Sequence, residues 1–241
     1  MTAVLNATAH DQEPHAATHA ARSNWLRAGV LGANDGIVSV AALVVGVAGA
    51  TGERTAIATA GIAGLVAGAV SMAVGEYVSV SSQRDRELAL LAKERWELAE
   101  EPEQELAELT AIYRAKGLSA ETAETVAREL TEHDAFAAHV EAELDLDPDV
   151  RVDPWAAAAA SLLAFVTGAL LPLVAVLVTT AAWRVPVTML AVLLALGLTG
   201  TISARLGGGS VSRAVLRVVL GGAAGLAITY GIGSAFGTII A

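Results

Sequence analysis

Two carboxylates lie within stretches that are otherwise almost entirely apolar. Asp35 falls in "LGANDGIVSVAALVVGVAGA", residues 31–50, and Glu76 falls in "SMAVGEYVSV", residues 71–80. A charged carboxylate at the centre of a bilayer helix costs about 2.5–3.5 kcal/mol even on the mildest scale. An acid retained in such a place must therefore be compensated by an ion, a proton or an opposite charge.

Other candidate ligands surround these two acids. Met72 precedes Glu76 by four residues, so its thioether lies on the same helix face. Oxygen ligands are offered nearby by Asn34, Ser39, Ser71 and Ser79. Carboxylates, a soft sulfur and hydroxyls together suit a divalent metal of intermediate softness. Because buried acids also change protonation readily, the same groups could exchange metal for protons. The structural alternatives are that Asp35 caps a neighbouring helix and that Glu76 pairs with Arg84 or Arg86.

A second group of candidate ligands lies in an acidic segment, residues 83–153. It contains two E-x-x-E pairs and an i,i+4 pair on a later helix, namely Glu94/Glu97, Glu105/Glu108 and His139/Glu143. Residues at these spacings share a helix face, so each pair offers clustered ligands. Carboxylates suit hard or borderline divalent cations. A solvated acidic surface is the alternative, since glutamates on exposed helix faces are common.

The elements that must position these residues are membrane helices. Hydrophobic residues make up 54% of the 241-residue chain and charged residues only 17%, against about 25% charge in soluble domains. About 20 apolar residues cross a bilayer, and five stretches qualify: 28–50, 56–80, 156–180, 185–204 and 214–240. We therefore expect an all-α integral membrane protein with five transmembrane helices and a three-helix cytoplasmic insert between the second and third.

This architecture divides the chain into four parts. Residues 1–24 form a flexible tail, 25–82 the first two transmembrane helices, 83–153 the acidic insert, and 154–241 the last three transmembrane helices. In the insert, Pro102 starts the second helix, Gly117 closes it and Ser119 caps the third. Glycine pairs such as Gly32/Gly36 and Gly233/Gly237 predict close helix packing or a dimer face.

Charge predicts both orientation and partners. The insert carries 20 of the 25 acids and 8 of the 15 bases, hence a net charge of −12. Arginines near the span ends favour an inner N-terminus, an inner insert and an outer C-terminus. The inner set is Arg22, Arg27, Arg84, Arg86, Arg151, Arg205, Arg213 and Arg217, and the outer set is Arg54 and Arg184. Cations, protons and lipid are the expected partners, and nucleic acid is not.

The chain resembles a known family at these residues. "GVLGANDGIVSVAALVVGVAGA" followed by "SMAVGEYVSVSSQRDRE" is similar to the signature of the vacuolar iron transporter family. The resemblance implies a homodimer, not an enzyme, that exports Fe(II) and often Mn(II) from the cytosol in exchange for protons. It assigns Asp35 and Met72 to the membrane path, and it assigns the insert glutamates Glu94, Glu97, Glu105, Glu108 and Glu143 to metal binding. The chain departs from the plant members in having His139 and Val140 where they have two methionines.

Two other functions compete with transport. A membrane-anchored iron store or oxidase would use the insert alone, but an oxidase bundle uses Glu-x-x-His pairs, and Leu130 and Phe136 occupy the corresponding positions before His133 and His139. A structural membrane subunit would leave Asp35 unexplained. We expect no prosthetic group, with iron or manganese as cargo, and the short tail favours a bacterial plasma membrane.

Overall fold

The structure is a computed structural model that describes residues 16–146 and 152–240, with side chains from 29 to 146 and from 152 to 239. Most of the predicted tail, including residues 1–15, lies outside the described residues. The described chain forms seven helices and no strand: α1 Ala16–Ala50, α2 Arg54–Glu100, α3 Pro102–Ala115, α4 Ala120–Ala142, α5 Pro154–Val178, α6 Arg184–Leu206 and α7 Val211–Ile240.

Five helices in the described chain are long and apolar enough to cross a bilayer. They contain the segments Gly29–Ala50, Arg54–Glu100, Pro154–Val178, Arg184–Leu206 and Val211–Ile239. This confirms the expected all-α class and the expected number of spans. α2 has 47 residues and is about 70 Å long, more than twice the hydrocarbon thickness of a bilayer. Its apolar residues are concentrated before residue 81, so the part carrying Glu94 and Glu97 lies outside the membrane-spanning segment.

The chain divides into two compact units. One unit comprises the residues up to Tyr77 together with those from Pro154 onward, and the other comprises Val78–Asp153. The division falls inside α2, five residues before the start of the predicted insert. The four-part domain organisation with its exact boundaries stays a prediction.

In the first unit α1 packs against α2 and α5 on one side and against α6 and α7 on the other. Val40 and Val44 belong to the first core, which includes Phe165 of α5. Ile37, Ala41 and Val45 of α1 belong to the second, together with Val192, Leu196 and Leu226. Residues four apart share a helix face, so Val40 and Val44 lie on one side of α1 and Ile37, Ala41 and Val45 on another. α1 is therefore apolar on both sides.

Glycine allows α1 to approach its neighbours closely. A Cβ atom on Gly36 would overlap the carbonyl oxygen of Phe165, and one on Gly168 would overlap the carbonyl of Ala33. Gly233 of α7 is equally close to the carbonyl of Gly46. The predicted pairs Gly32/Gly36 and Gly233/Gly237 thus serve packing within one chain, whereas a Cβ atom on Gly221 or Gly225 would touch nothing.

Two arginines form hydrogen bonds between helix ends at one end of the first unit. Arg54, at the start of α2, donates a hydrogen bond to the carbonyl of Leu177 near the end of α5. Arg184, at the start of α6, is nearly buried and donates to the carbonyl of Gly52, 3.2 Å away. The two arginines that the sequence assigns to the outer side therefore lie at connections on the same end of the unit.

The second unit contains the last part of α2 with α3 and α4. Pro102 is the first residue of α3, Gly117 has a positive φ of 104° after its end, and the Ser119 hydroxyl accepts the N–H of Thr122 at the start of α4. Its apolar core is small and is centred on Leu109, Ala127 and Ala138. α4 is interrupted at Asp134, where the backbone is extended (φ −161°, ψ 93°).

Candidate metal-binding sites

A polar groove lies in the first unit between α1, α2 and α5. Its volume is about 420 Å³, and it is lined by Asp35, Ser39, Val40, Leu43, Gly64, Gly68, Ser71, Met72 and Phe165. A Cβ atom on Gly68 would overlap the ring of Phe165, so the glycine is needed where α2 meets α5. The groove is lined by one carboxylate and one hydroxyl from α1 and by one hydroxyl and one thioether from α2, within an otherwise apolar bundle.

Asp35 is exposed on the surface of the single chain. Its Oδ1 accepts a hydrogen bond of 2.8 Å from the Ser39 hydroxyl one turn later. Among the described side chains, Asp35 accepts a hydrogen bond only from Ser39 of its own helix, and Glu76 forms no ion pair, so neither the cap of a neighbouring helix nor the arginine partner is seen there. The carboxylate of Asp35 can therefore still accept further bonds, including one to a cation.

A second hollow of about 370 Å³ adjoins the groove and shares Asp35 and Met72 with it. Asn34 lines this hollow, and its Oδ1 accepts a 2.5 Å hydrogen bond from the Thr199 hydroxyl of α6. Thr199 belongs to no recognisable ligand motif, so it cannot be selected from the sequence alone. Glu76 is half-buried and lines neither hollow, although it lies one turn after Met72.

The second unit holds a cluster of four ligating residues, which we call the four-residue cluster: Glu94, Glu105, His139 and Glu143. One ligand atom of each lies within 4.8 Å of those of the others. The His139 Nδ1 atom is 3.0 Å from a carboxylate oxygen of Glu94, 3.4 Å from one of Glu105 and 3.8 Å from one of Glu143. Three helices thus contribute carboxylates around one imidazole.

Local structure explains why these side chains meet. α2 ends at Glu100 and Pro102 starts α3, so the chain turns within two residues and places Glu105 beside Glu94. α4 then supplies His139, and Glu143 follows one turn later as the C-cap residue of this helix. Glu94, Glu105 and His139 are at most 5% exposed, whereas the Glu143 side chain is 28% exposed at the rim.

Three buried polar atoms of the cluster lack hydrogen bonds. Within the described part of the chain, Oε1 of Glu94 and both ring nitrogens of His139 have no hydrogen-bond partner, although Oε1 and Nδ1 are only 3.0 Å apart. Buried polar groups are nearly always hydrogen-bonded, and an unpartnered one costs about 1–3 kcal/mol. A divalent cation would satisfy the carboxylate oxygens and one ring nitrogen at the same time. The donor set therefore fits a metal ion.

Burial and mutual repulsion alter the acidity of the cluster. Removal from water, reinforced by the charges of Glu143 and Glu105, raises the pKa of Glu94 to about 7. Burial also raises the pKa of Glu105, while the neighbouring His139 lowers it. Because Glu94 holds a proton near neutral pH, the cluster can take up a cation by releasing it.

The remaining two glutamates of the E-x-x-E pairs lie apart from the cluster. Both carboxylate oxygens of Glu97 accept from Lys93 Nζ, at 2.5 and 2.6 Å, and this hydrogen bond raises the pKa of Lys93. Glu108 is exposed on α3 and acts on Glu94 and Glu105 only through its charge. All nine site residues stay predictions, but in the described structure six of them fall into two groups, the four-residue cluster and the groove pair Asp35 and Met72.

Metal affinity of the four-residue cluster should depend on pH. A raised pKa means that the folded protein keeps a proton on Glu94 below about pH 7, and this proton competes with the metal. Affinity should therefore fall by up to about tenfold per pH unit below 7 and level off above it. Titration of the full-length protein in detergent with Mn²⁺ at pH 6 and pH 8, with simultaneous measurement of released protons, checks this. Equal affinity at both pH values without proton release would contradict it.

Comparison with known proteins identifies the family. The model of the VIT family matches residues 26–234. The chain is 42% identical over 230 residues to a vacuolar iron transporter of Acanthamoeba castellanii, covering 92% of this chain and 82% of that protein. It is 41% identical over 220 residues to vacuolar iron transporter homolog 1 of Oryza sativa subsp. japonica, covering 91% and 77%.

A third relative matches over nearly its whole length. Vacuolar iron transporter homolog 3 of Arabidopsis thaliana is 35% identical over 235 residues, covering 97% of this chain and 94% of that protein. The resemblance predicted from the two motifs around Asp35 and Glu76 is confirmed by these matches. With five helices able to span a bilayer, the chain is a membrane protein that belongs to the VIT family.

Proposed function

We propose that this protein is a proton-coupled transporter that exports Fe(II), and also Mn(II), from the cytosol. In this proposal the four-residue cluster captures metal from the cytosol, and the groove carrying Asp35 and Met72 forms part of the membrane path. The observation that carries the proposal is the groove itself, where an exposed carboxylate and a thioether line one hollow among apolar helices. The names of the relatives, which are vacuolar iron transporters, support iron as cargo.

The donor atoms favour metals of intermediate softness. Carboxylates suit Mn(II) and harder ions, imidazole suits Fe(II) and later transition metals, and thioether sulfur suits softer ions. Three carboxylates and one imidazole at the cluster, followed by one carboxylate and one thioether in the groove, therefore select Fe(II) and Mn(II) over Mg²⁺ and Ca²⁺. His139 supplies the one nitrogen donor of the cluster.

Proton exchange follows from the chemistry of Asp35. In a low-dielectric bundle an isolated carboxylate is most stable when it is neutralised. A proton neutralises it in one state and a divalent cation does so in the other, so binding of one displaces the other. Protonation from an acidic outer side would release the metal, and deprotonation toward the cytosol would prepare Asp35 for the next ion.

We further propose that the transporter is a homodimer in which a second copy covers the groove. Asp35 is exposed on the surface of one chain, within a segment that is long and apolar enough to span a bilayer. Native mass spectrometry of the protein released from detergent should show a dimer, and a monomer alone would contradict this arrangement.

The orientation proposed from charge places the N-terminus and the second unit in the cytosol. Arg54 and Arg184, the two arginines assigned to the outer side, both lie at the same end of the first unit, as this orientation requires. The acidic cluster then lies on the side from which metal is taken.

A membrane-anchored metal store without transport is the second candidate, and the four-residue cluster is the observation that favours it. Sealed vesicles containing the pure protein separate the two functions. A transporter carries Fe(II) or Mn(II) into the lumen, where an encapsulated metal-sensitive dye responds, with many ions per chain. A store binds a fixed number of ions per chain and leaves the dye unchanged.

A further inference from the structure

α4 consists of two helical segments joined at Asp134. The backbone of Asp134 is extended, and its Oδ1 accepts the N–H of Ala137, three residues later, at 3.0 Å. A side-chain oxygen that accepts the N–H of the third following residue is the geometry of a helix N-cap. A new helical segment, residues 135–142, therefore begins after Asp134.

The interruption separates the first segment of α4 from the segment that carries His139. In an unbroken helix each residue turns by about 100°, so Ala138 would lie about 20° and His139 about 120° around the axis from Ala127, and Ala138 does share the core of Ala127. Yet His139 is completely buried, and its Nδ1 lies 3.0 Å from Glu94. The extended residue Asp134 interrupts the helix, so the segment that carries His139 has an N-terminus of its own.

The second segment is short and has little stability of its own. An eight-residue helix is marginal in water, so its ends and its packing decide whether it forms. The Arg95 guanidinium of α2 lies 4.3 Å from the ring centroid of Phe136, and the Leu146 N–H closes the far end by donating to the Val140 carbonyl at 3.2 Å. Assembling three carboxylates around His139 without a cation opposes this closure. Because the segment 135–142 is only marginally stable, the cap at Asp134 should have a large effect on whether it forms.

We propose that Asp134 is a positioning residue of the four-residue cluster. Its carboxylate starts the helical segment that presents His139 and Glu143 to the glutamates of α2 and α3. It does so as a cap and not as a ligand or as a source of negative charge. The inference rests on the proposed role of the cluster in metal capture.

Titration of the full-length protein in detergent with Co²⁺ tests the inference. The signal is the visible absorption that Co²⁺ gains in the wild type and loses in the variant E94Q/E105Q. Loss of a comparable cap weakens a helix by roughly three- to thirty-fold, so D134A should bind Co²⁺ about tenfold more weakly with unchanged stoichiometry. Unchanged affinity in D134A would overturn the inference.

Three further variants separate the cap from its charge. D134N and D134S remove the charge but keep a strong capping side chain, and both should bind like the wild type. E132A removes one exposed acid from the same helix without touching the cap, and it should also bind like the wild type. If D134N and D134S are as weak as D134A, or if E132A is equally weak, the effect is electrostatic and the inference is wrong.

A second measurement requires no metal. Amide hydrogen exchange of residues 135–142 in the metal-free protein should be about tenfold faster in D134A than in the wild type and unchanged in D134S. Equal exchange in D134A and wild type would overturn the capping role. If the wild type shows no Co²⁺ absorption that depends on Glu94 and Glu105, metal capture by the cluster fails, and the exchange result still decides the role of Asp134.

Discussion

The variant Asp35→Asn is expected to reduce metal flux to the level of protein-free vesicles while the protein remains folded. The amide keeps the volume of the side chain and can still accept the hydrogen bond from Ser39. It cannot neutralise a divalent cation, and it cannot bind or release the proton that exchange requires. The measurement is the initial rate of Fe(II) or Mn(II) entry into proteoliposomes.

Glu53→Gln is the matched control for this variant. Glu53 lies in the connection between α1 and α2, is exposed and is also an acid of the first unit. The Glu53→Gln variant should transport metal like the wild type, because Glu53 does not line the groove. Near-normal flux in Asp35→Asn, with equal amounts of folded protein in the vesicles, would remove Asp35 from the mechanism.

Replacing Glu94 and Glu105 together with glutamine is expected to eliminate metal binding in the second unit. Both side chains are buried in the four-residue cluster, and the change leaves only His139 and Glu143 as charged or basic ligands. Because outer-shell changes already cost about 10–100-fold in metal affinity, the loss of two direct ligands should exceed a hundredfold. Metal bound per chain should fall, and uptake should slow at limiting metal and survive in part at saturating metal.

The double variant E97Q/E108Q provides a control with the same change in charge on the same two helices. Glu97 is paired with Lys93 and Glu108 is exposed, so neither belongs to the cluster. We expect its metal count to match that of the wild type and its affinity to fall only modestly. Equal loss in both double variants would mean that metal is held by the general negative charge of the unit.

The membrane architecture could be predicted because its signals are local and strong. Five apolar stretches of at least 20 residues permit few structures other than spanning helices, since lipid offers no hydrogen-bond partners to the backbone. Pro102, Gly117 and Ser119 mark helix ends by their own conformational preferences. Asp35 was conspicuous for the same reason, as a charge in a segment where lipid penalises charge.

The composition of the four-residue cluster was not predictable at the same level. The sequence offers Glu94 and Glu97 on nearly the same face of α2, and Glu105 and Glu108 on nearly the same face of α3. Which member of each pair is buried depends on how the helices are rotated against each other, and that is a tertiary property. In the structure Glu94 and Glu105 are buried, whereas Glu97 accepts a hydrogen bond from Lys93.

The break in α4 was also missed, although a signal was present. Apolar residues such as Val126, Leu130, Val140 and Leu144 fit a continuous helical stripe and predict one long third helix in the insert. Asp134, however, is a favourable N-cap residue, and Ala137 follows it at the capped position. An aspartate side chain in a helix interior competes with the backbone carbonyls for nearby N–H groups. Asp134 could therefore have been read as the start of a second helical segment.

Metal uptake driven by a pH step tests proton-coupled export most directly. Proteoliposomes are prepared with the second unit facing outward and with an internal pH below the external pH, and Fe(II) or Mn(II) is added outside. Metal should enter faster than at equal pH, and each entry should raise the internal pH, because protons leave the path as metal is released into the lumen. Entry rates that ignore the pH step, with no proton movement accompanying the metal, would show a channel or a uniporter and would contradict exchange at Asp35.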